Sequence, residues 1–202
     1  SSYDPSGLGG LQLWLNATAG VSHTGGLVDT WADQSGNARN FTSNSTARPT
    51  TNVATQNGNN IIQFDGVNDL LLNNSDTLTE YIANNAYTTF IAGRMNPATN
   101  SGTVYANDAF IAGFDGYYGI YGRSNGTVLA HNYDGSDDSV SSAYVVDDPA
   151  IIMARHQSGN LVISTNGGSE TSAASGNTSV LTTVLALGTN PTGNFADMDL
   201  FE

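Results

Sequence analysis

The sequence predicts an all-β protein, an antiparallel two-sheet sandwich of the jelly-roll type. Three observations carry that prediction. Short apolar or β-branched runs recur along the 202 residues, separated by turn residues every roughly 8–12 positions. The turns hold dipeptides that favour positive φ, among them Asp65-Gly66, Asn125-Gly126 and Asn166-Gly167. A helical pattern surfaces in one stretch, Ser75 to Asn85, where Leu78, Tyr81 and Ile82 share a face behind Asp76.

Taken in order, Leu11-Gln12-Leu13-Trp14-Leu15 alternates and predicts the opening strand, and Val28 to Trp31 a second. Asp33 to Asn37 is turn-rich, and Arg48-Pro49-Thr50 reads as an extended surface connector. Residues 61–72 predict a strand, a tight turn through Phe64-Asp65-Gly66-Val67-Asn68-Asp69 and a second strand, with two carboxylates held close together. Tyr87–Arg94, Phe110–Phe114 and Tyr117–Arg123 are strand-like, and Asn125-Gly126 turns the last into Thr127–Tyr133. Asp134–Asp138 reads as an acidic loop. Ala150–His156 and Leu161–Thr165 make a hairpin about Ser158-Gly159-Asn160, and Val180–Gly188 and Phe195–Phe201 complete the sheets. No composition break divides the chain, so residues 1–202 are expected to form one domain. The unturned run Asp197-Met198-Asp199-Leu200-Phe201 reads as part of a longer polypeptide.

Composition bounds the partners. Hydrophobic residues are 39 % and charged residues 11 %, with no lysine, fifteen Asp, three Glu and a net charge of −13. An acidic surface repels nucleic acid and anionic membranes, which excludes both as partners. Neutral glycans, divalent cations and cationic proteins are compatible with it. The chain has no cysteine, so disulfides and Cys-ligated zinc are absent. No apolar run approaches the roughly 18 residues a membrane span needs.

Strand alternation assembles one candidate binding surface. Tyr117, Tyr121 and Arg123 share one face of their strand, and Leu129, His131 and Tyr133 share one face of the next. Together Tyr117, Tyr121, Arg123, His131 and Tyr133 would offer stacking planes and donors suited to a sugar. The plainer alternative is an ordinary strand pair whose tyrosines sit half in the core with their hydroxyls in water. Asp134, Asp137 and Asp138 form the densest acidic cluster and are either the candidate ligands for Ca2+, which takes carboxylate and carbonyl oxygens from flexible loops, or simply a solvated acidic turn. Asp33 and Asp65 are expected to cap the backbone of their own glycine turns, and Trp14 and Trp31 to lie in the core.

The order of motifs resembles the concanavalin A-like lectin/glucanase superfamily, in particular the laminin-G-like (LamG-like) jelly rolls of bacterial and phage surface proteins. The resemblance rests on Gly10-Leu11-Gln12-Leu13-Trp14-Leu15-Asn16-Ala17, Trp31-Ala32-Asp33-Gln34-Ser35-Gly36-Asn37, Arg48-Pro49-Thr50, Phe64 to Asp69, and the hairpin closed by Asn166-Gly167. It implies two curved antiparallel sheets, one concave, with ligands on the concave face or the loop rim. It also implies calcium at the rim, either at the acidic cluster or at Asp65 and Asp69. It implies no single function. Relatives that cleave glucans carry Glu-X-Asp-X-X-Glu on one strand, whereas Glu80, Glu170 and Glu202 stand apart here. Relatives that act as polysaccharide lyases use an Arg/Gln/His/Tyr cluster whose strand signatures are absent here, although the scattered Tyr121, Arg123, His131 and Gln157 could converge in space. The leading expectation is therefore a non-enzymatic, extracellular or surface-exposed module that binds glycan or mediates adhesion. The alternatives are a structural virion or surface-layer component, alone or assembled from copies of itself, and a divergent polysaccharide lyase or glycoside hydrolase.

Overall fold

The computed structural model describes residues 4–44, 46–74, 86–95, 108–114, 118–123, 125–133, 136–176, 185–189 and 195–201, with the backbone path alone for 108–114, 118 and 133. The strands are β1 (Val21–Thr24), β2 (Leu27–Trp31), β3 (Phe41–Thr42), β4 (Thr50–Gln56), β5 (Asn59–Asp65), β6 (Leu71–Asn73), β7 (Tyr87–Met95) and β8 (Asp108–Phe114), then β9 (Tyr118–Arg123), β10 (Thr127–Tyr133), β11 (Asp137–Ala143), β12 (Pro149–Gln157), β13 (Asn160–Thr165), β14 (Thr171–Ala174), β15 (Leu185–Leu187) and β16 (Asp197–Leu200). All described pairings are antiparallel. They run in the order β11-β10-β9-β8-β15-β6-β3-β2-β4-β5-β16-β7-β12-β13-β14, with β1 on β2. The path folds over where Leu27 alone pairs with Thr50, so its two halves face each other as a sandwich.

Each half contributes one side chain in two to a shared core. From β2–β3 and β9–β11 come Val28, Trp31, Phe41, Ile120, Val128, Ala130 and Val140; from β5, β7, β12, β13 and β16 come Ile62, Phe64, Ile91, Ile152, Leu161, Ile163 and Met198. Asn132 is fully buried between these layers, and its amide spans them by donating to Ser175 Oγ at 2.8 Å and Gly176 O at 3.2 Å. At the seam between β11 and the β13–β14 pair, hydroxyls replace a strand ladder. Thr165 Oγ1 donates to Ala143 O at 2.6 Å, and Thr171 Oγ1 to Ser141 O at 2.8 Å.

Several expectations change. Leu11–Leu15 is not a strand, because its polar groups are taken by the neighbouring loop. Trp14 N–H donates to Asp33 Oδ1 at 3.0 Å, and Trp14 C=O accepts from Gln34 N at 2.7 Å. Leu13 and Leu15 still pack on the core, but Trp14 is half-exposed and only Trp31 is a core tryptophan. β5 and β6 do not pair with each other; β5 lies between β4 and β16, and β6 between β3 and β15. Arg48-Pro49 is more than a surface connector. Pro49 is buried, and the Arg48 guanidinium donates to Leu27 O at 2.6 Å and pairs with Asp29 at 2.7 Å. Asp137 and Asp138 open β11 rather than lying in a loop. Of Val180–Gly188, Leu185–Leu187 forms the described strand and residues 180–184 lie outside the described residues, as does the helical stretch expected at Ser75–Asn85.

Candidate functional site

Period-two alternation puts Ile120, Val128 and Ala130 in the core and the alternate residues of β9 and β10 on the other face of the sheet, where Leu129 is also buried. Tyr121 lies opposite Leu129, Arg123 opposite Thr127, and His131 opposite Gly119 on one side and Ser139 of β11 on the other. The rings of Tyr121 and His131 meet edge to face, with centroids 6.1 Å apart and an interplanar angle of 83°. His131 Nε2 lies 3.2 Å from Asp137 Oδ1, which an Nε2–H tautomer satisfies by donating to the carboxylate. His131 Nδ1 is buried without a hydrogen-bond partner.

The turn beneath this face is held from the core side. Tyr144 is buried, its hydroxyl donates to Arg123 O at 3.0 Å, and burial pushes that hydroxyl's pKa up. Tyr144 N–H donates to Gly126 O at 2.9 Å, across the Asn125-Gly126 turn. These bonds tie the β9–β10 turn to the segment that follows β11.

Tyr121, Arg123 and His131 thus come together on one outer face, with the backbone position of Tyr133 on the same side opposite Asp137. Tyr117 and Asp134 lie outside the described residues. Gln157 belongs to β12, in the other layer. Asp137 and Asp138 are consecutive on β11 and project to opposite faces, Asp137 toward His131 and Asp138 to the side of Asn132. Among the described residues, no group of three acidic, His or Cys side chains is placed to hold a metal ion. Glu80 and Glu202 lie outside the described residues, while Glu170 pairs with Arg155 at 2.7 Å.

A second constellation surrounds the turn after β5. Asp65 Oδ1 accepts from Val67 N at 2.8 Å and Asn68 N at 3.2 Å, the capping expected of it, and Asp69 Oδ2 accepts from Asp65 N at 3.0 Å. Asp69 is buried. Burial first, and the neighbouring Asp65 charge second, push its pKa up to about 6. Arg48, Asp65, Asp69 and Asp197 line a cavity of about 450 Å³ here. Gly188 seats the turn from behind. It sits at φ +83°, and a Cβ there would lie 2.4 Å from Phe64 Cδ1 and 2.8 Å from Asp69 O.

No family model matches the sequence, and no curated protein does. Solved structures share its fold. Domain 4 of AbnA, a GH43 extracellular arabinanase from Geobacillus stearothermophilus, solved with arabinotriose, superposes with a TM-score of 0.57 at 13 % identity over 87 % of this chain and 92 % of that one. A GH54 α-L-arabinofuranosidase gives 0.56 at 14 % identity over 87 % and 46 %, and domains LG4-5 of the mouse laminin α1 chain give 0.51 at 11 % over 85 % and 47 %. The chain spans about half the length of the last two. The architecture is therefore the concanavalin A-like jelly roll. At 11–14 % identity the likeness is one of fold, and it is the fold expected from the motif order.

Proposed function

We propose that the chain is a non-catalytic glycan-binding module acting outside the cell, with the outer face of β9–β11 as its binding surface. The observation that carries this reading is the Tyr121–His131–Asp137 arrangement. Two rings and a carboxylate stand on adjacent strands, with Arg123 on the same face. A saccharide has apolar C–H faces and a hydroxyl rim; aromatic planes take the former, and carboxylate and guanidinium groups the latter. The arabinotriose in the arabinanase domain is a precedent for sugar on this architecture. The fold itself serves enzymes and binding modules alike, so the assignment rests on the site.

A glycan array followed by titration calorimetry tests it. Tyr121→Ala is expected to weaken binding by about tenfold or more, equivalent to ~1.4 kcal/mol, with an unchanged thermal midpoint. Reducing-end or unsaturated-product release from any bound polysaccharide would replace this reading with an enzymatic one. Failure of every glycan to bind would sink it.

A further inference from the structure

The outer face of the opposite layer holds a depression of about 610 Å³. β7 and β12 build its floor, pairing Phe90 with Met153 and Thr88 with Arg155. Phe90 is 67 % exposed and Ile151 56 %, in the middle of a sheet whose other face fills the core. Polar groups rim this apolar floor. Arg155 pairs with Glu170 at 2.7 Å, and Asn166 stands beside Ile151, accepting its N–H at 2.8 Å. Arg155, with its side chain 35 % exposed, brings a guanidinium to this rim.

We infer that this depression is a second saccharide site, taking a neutral oligosaccharide that stacks on Phe90 and places a hydroxyl or ring oxygen against Arg155. It extends the glycan reading above to a separate surface. Its size falls in the range of small-molecule sites, which combine an apolar lining with a few convergent polar groups. The Arg155–Glu170 pair leaves the rim without net charge, and the chain carries −13 overall, so an acidic sugar is repelled and a neutral one is not. The two sites lie on outer faces of different layers. One molecule would therefore bridge two glycan chains instead of gripping one more tightly.

The test is an NMR titration of the protein, with labelled phenylalanine rings, against arabino-, xylo-, cello-, laminari- and manno-hexaoses. At least one is expected to move the Phe90 ring signals. Phe90→Ala should weaken that binding by about tenfold or more, Phe90→Trp should restore it, and Arg155→Gln should weaken it with the ring intact. Because Phe90 is mostly exposed, its two variants should keep the thermal midpoint. Tyr121→Ala should leave the Phe90 response unchanged. Silence of Phe90 toward all five sugars would overturn the inference, as would a self-association that Phe90→Ala abolishes, since a second copy would then be the occupant. Binding lost in Tyr121→Ala alone would remove this site and keep the β9–β11 face; binding lost in Phe90→Ala alone would do the reverse.

Discussion

The loop after β2 and the loop after β5 each hold an aspartate that accepts backbone N–H groups from its neighbours, yet Asp33 and Asp69 live under opposite conditions. Asp33 receives Trp14 N at 3.0 Å, Ser35 N at 2.8 Å, Ser35 Oγ at 2.7 Å and Arg39 N at 3.1 Å. Burial works to raise its pKa, but these donors together outweigh it and hold the carboxyl below the ordinary aspartate value. Asp69 receives Asp65 N and lies next to the Asp65 carboxylate, so burial wins. Donors, burial and a neighbouring charge together decide whether an aspartate staples a loop or burdens it.

The strongest way to break the contrast is Asp33→Ala. It strands several backbone N–H groups and frees the 11–15 segment, so a loss of about 3–4 kcal/mol is expected by chemical denaturation. A loss below about 1 kcal/mol would show that the loop stands without its carboxylate. Gly188→Ala comes next. Its Cβ collides with Phe64 and the Asp69 carbonyl at a positive φ, and a cost of about 2–3 kcal/mol is expected.

Asp69→Asn sharpens the comparison through pH. A carboxyl whose folded pKa is raised contributes stability in full below its unfolded value near 4, and that contribution disappears as pH climbs through about 6. Above that, ionised Asp69 is a liability. The asparagine variant should be more stable than the parent at pH 7 by about 1–2 kcal/mol and should lose the stability slope between pH 4 and 6. Asp33 has the opposite sign: its contribution is present above the unfolded value and fades as pH falls through its lowered folded value. The smallest expected effect is that of a chelator. Asp137 and Asp138 diverge across β11, so excess EDTA should leave the melting temperature where it was; an upward shift on adding Ca2+ would support the cation expected from the sequence.

Local hydrogen bonding was the most legible level. Asp65 caps its own turn and Ser158-Gly159 closes the β12–β13 hairpin, both at positions readable from neighbouring residues. Partnership across long separations was not legible. β5 finds β16 beside it, and nothing near residue 65 names residue 197. Alternation misled at Leu11–Leu15, where a side chain from a distant loop supplanted the ladder. β11 went unread because Val140 is its one fully buried residue among serines and aspartates. Tyr121, Arg123 and His131 could be placed on one surface by counting in twos. Phe90 could not be singled out that way, because Phe90 and Ile91 are both apolar and alternation alone does not say which faces water.

The threonine hydroxyls that hem β11 to the β13–β14 pair carry one more implication. Main-chain carbonyls along that margin are already occupied by side chains that cannot extend a ladder. A stray polypeptide arriving there meets capped acceptors where it would otherwise find a template, which guards the margin against runaway strand addition. Crowding such modules at high density on a surface should therefore not turn them into fibrils through this border.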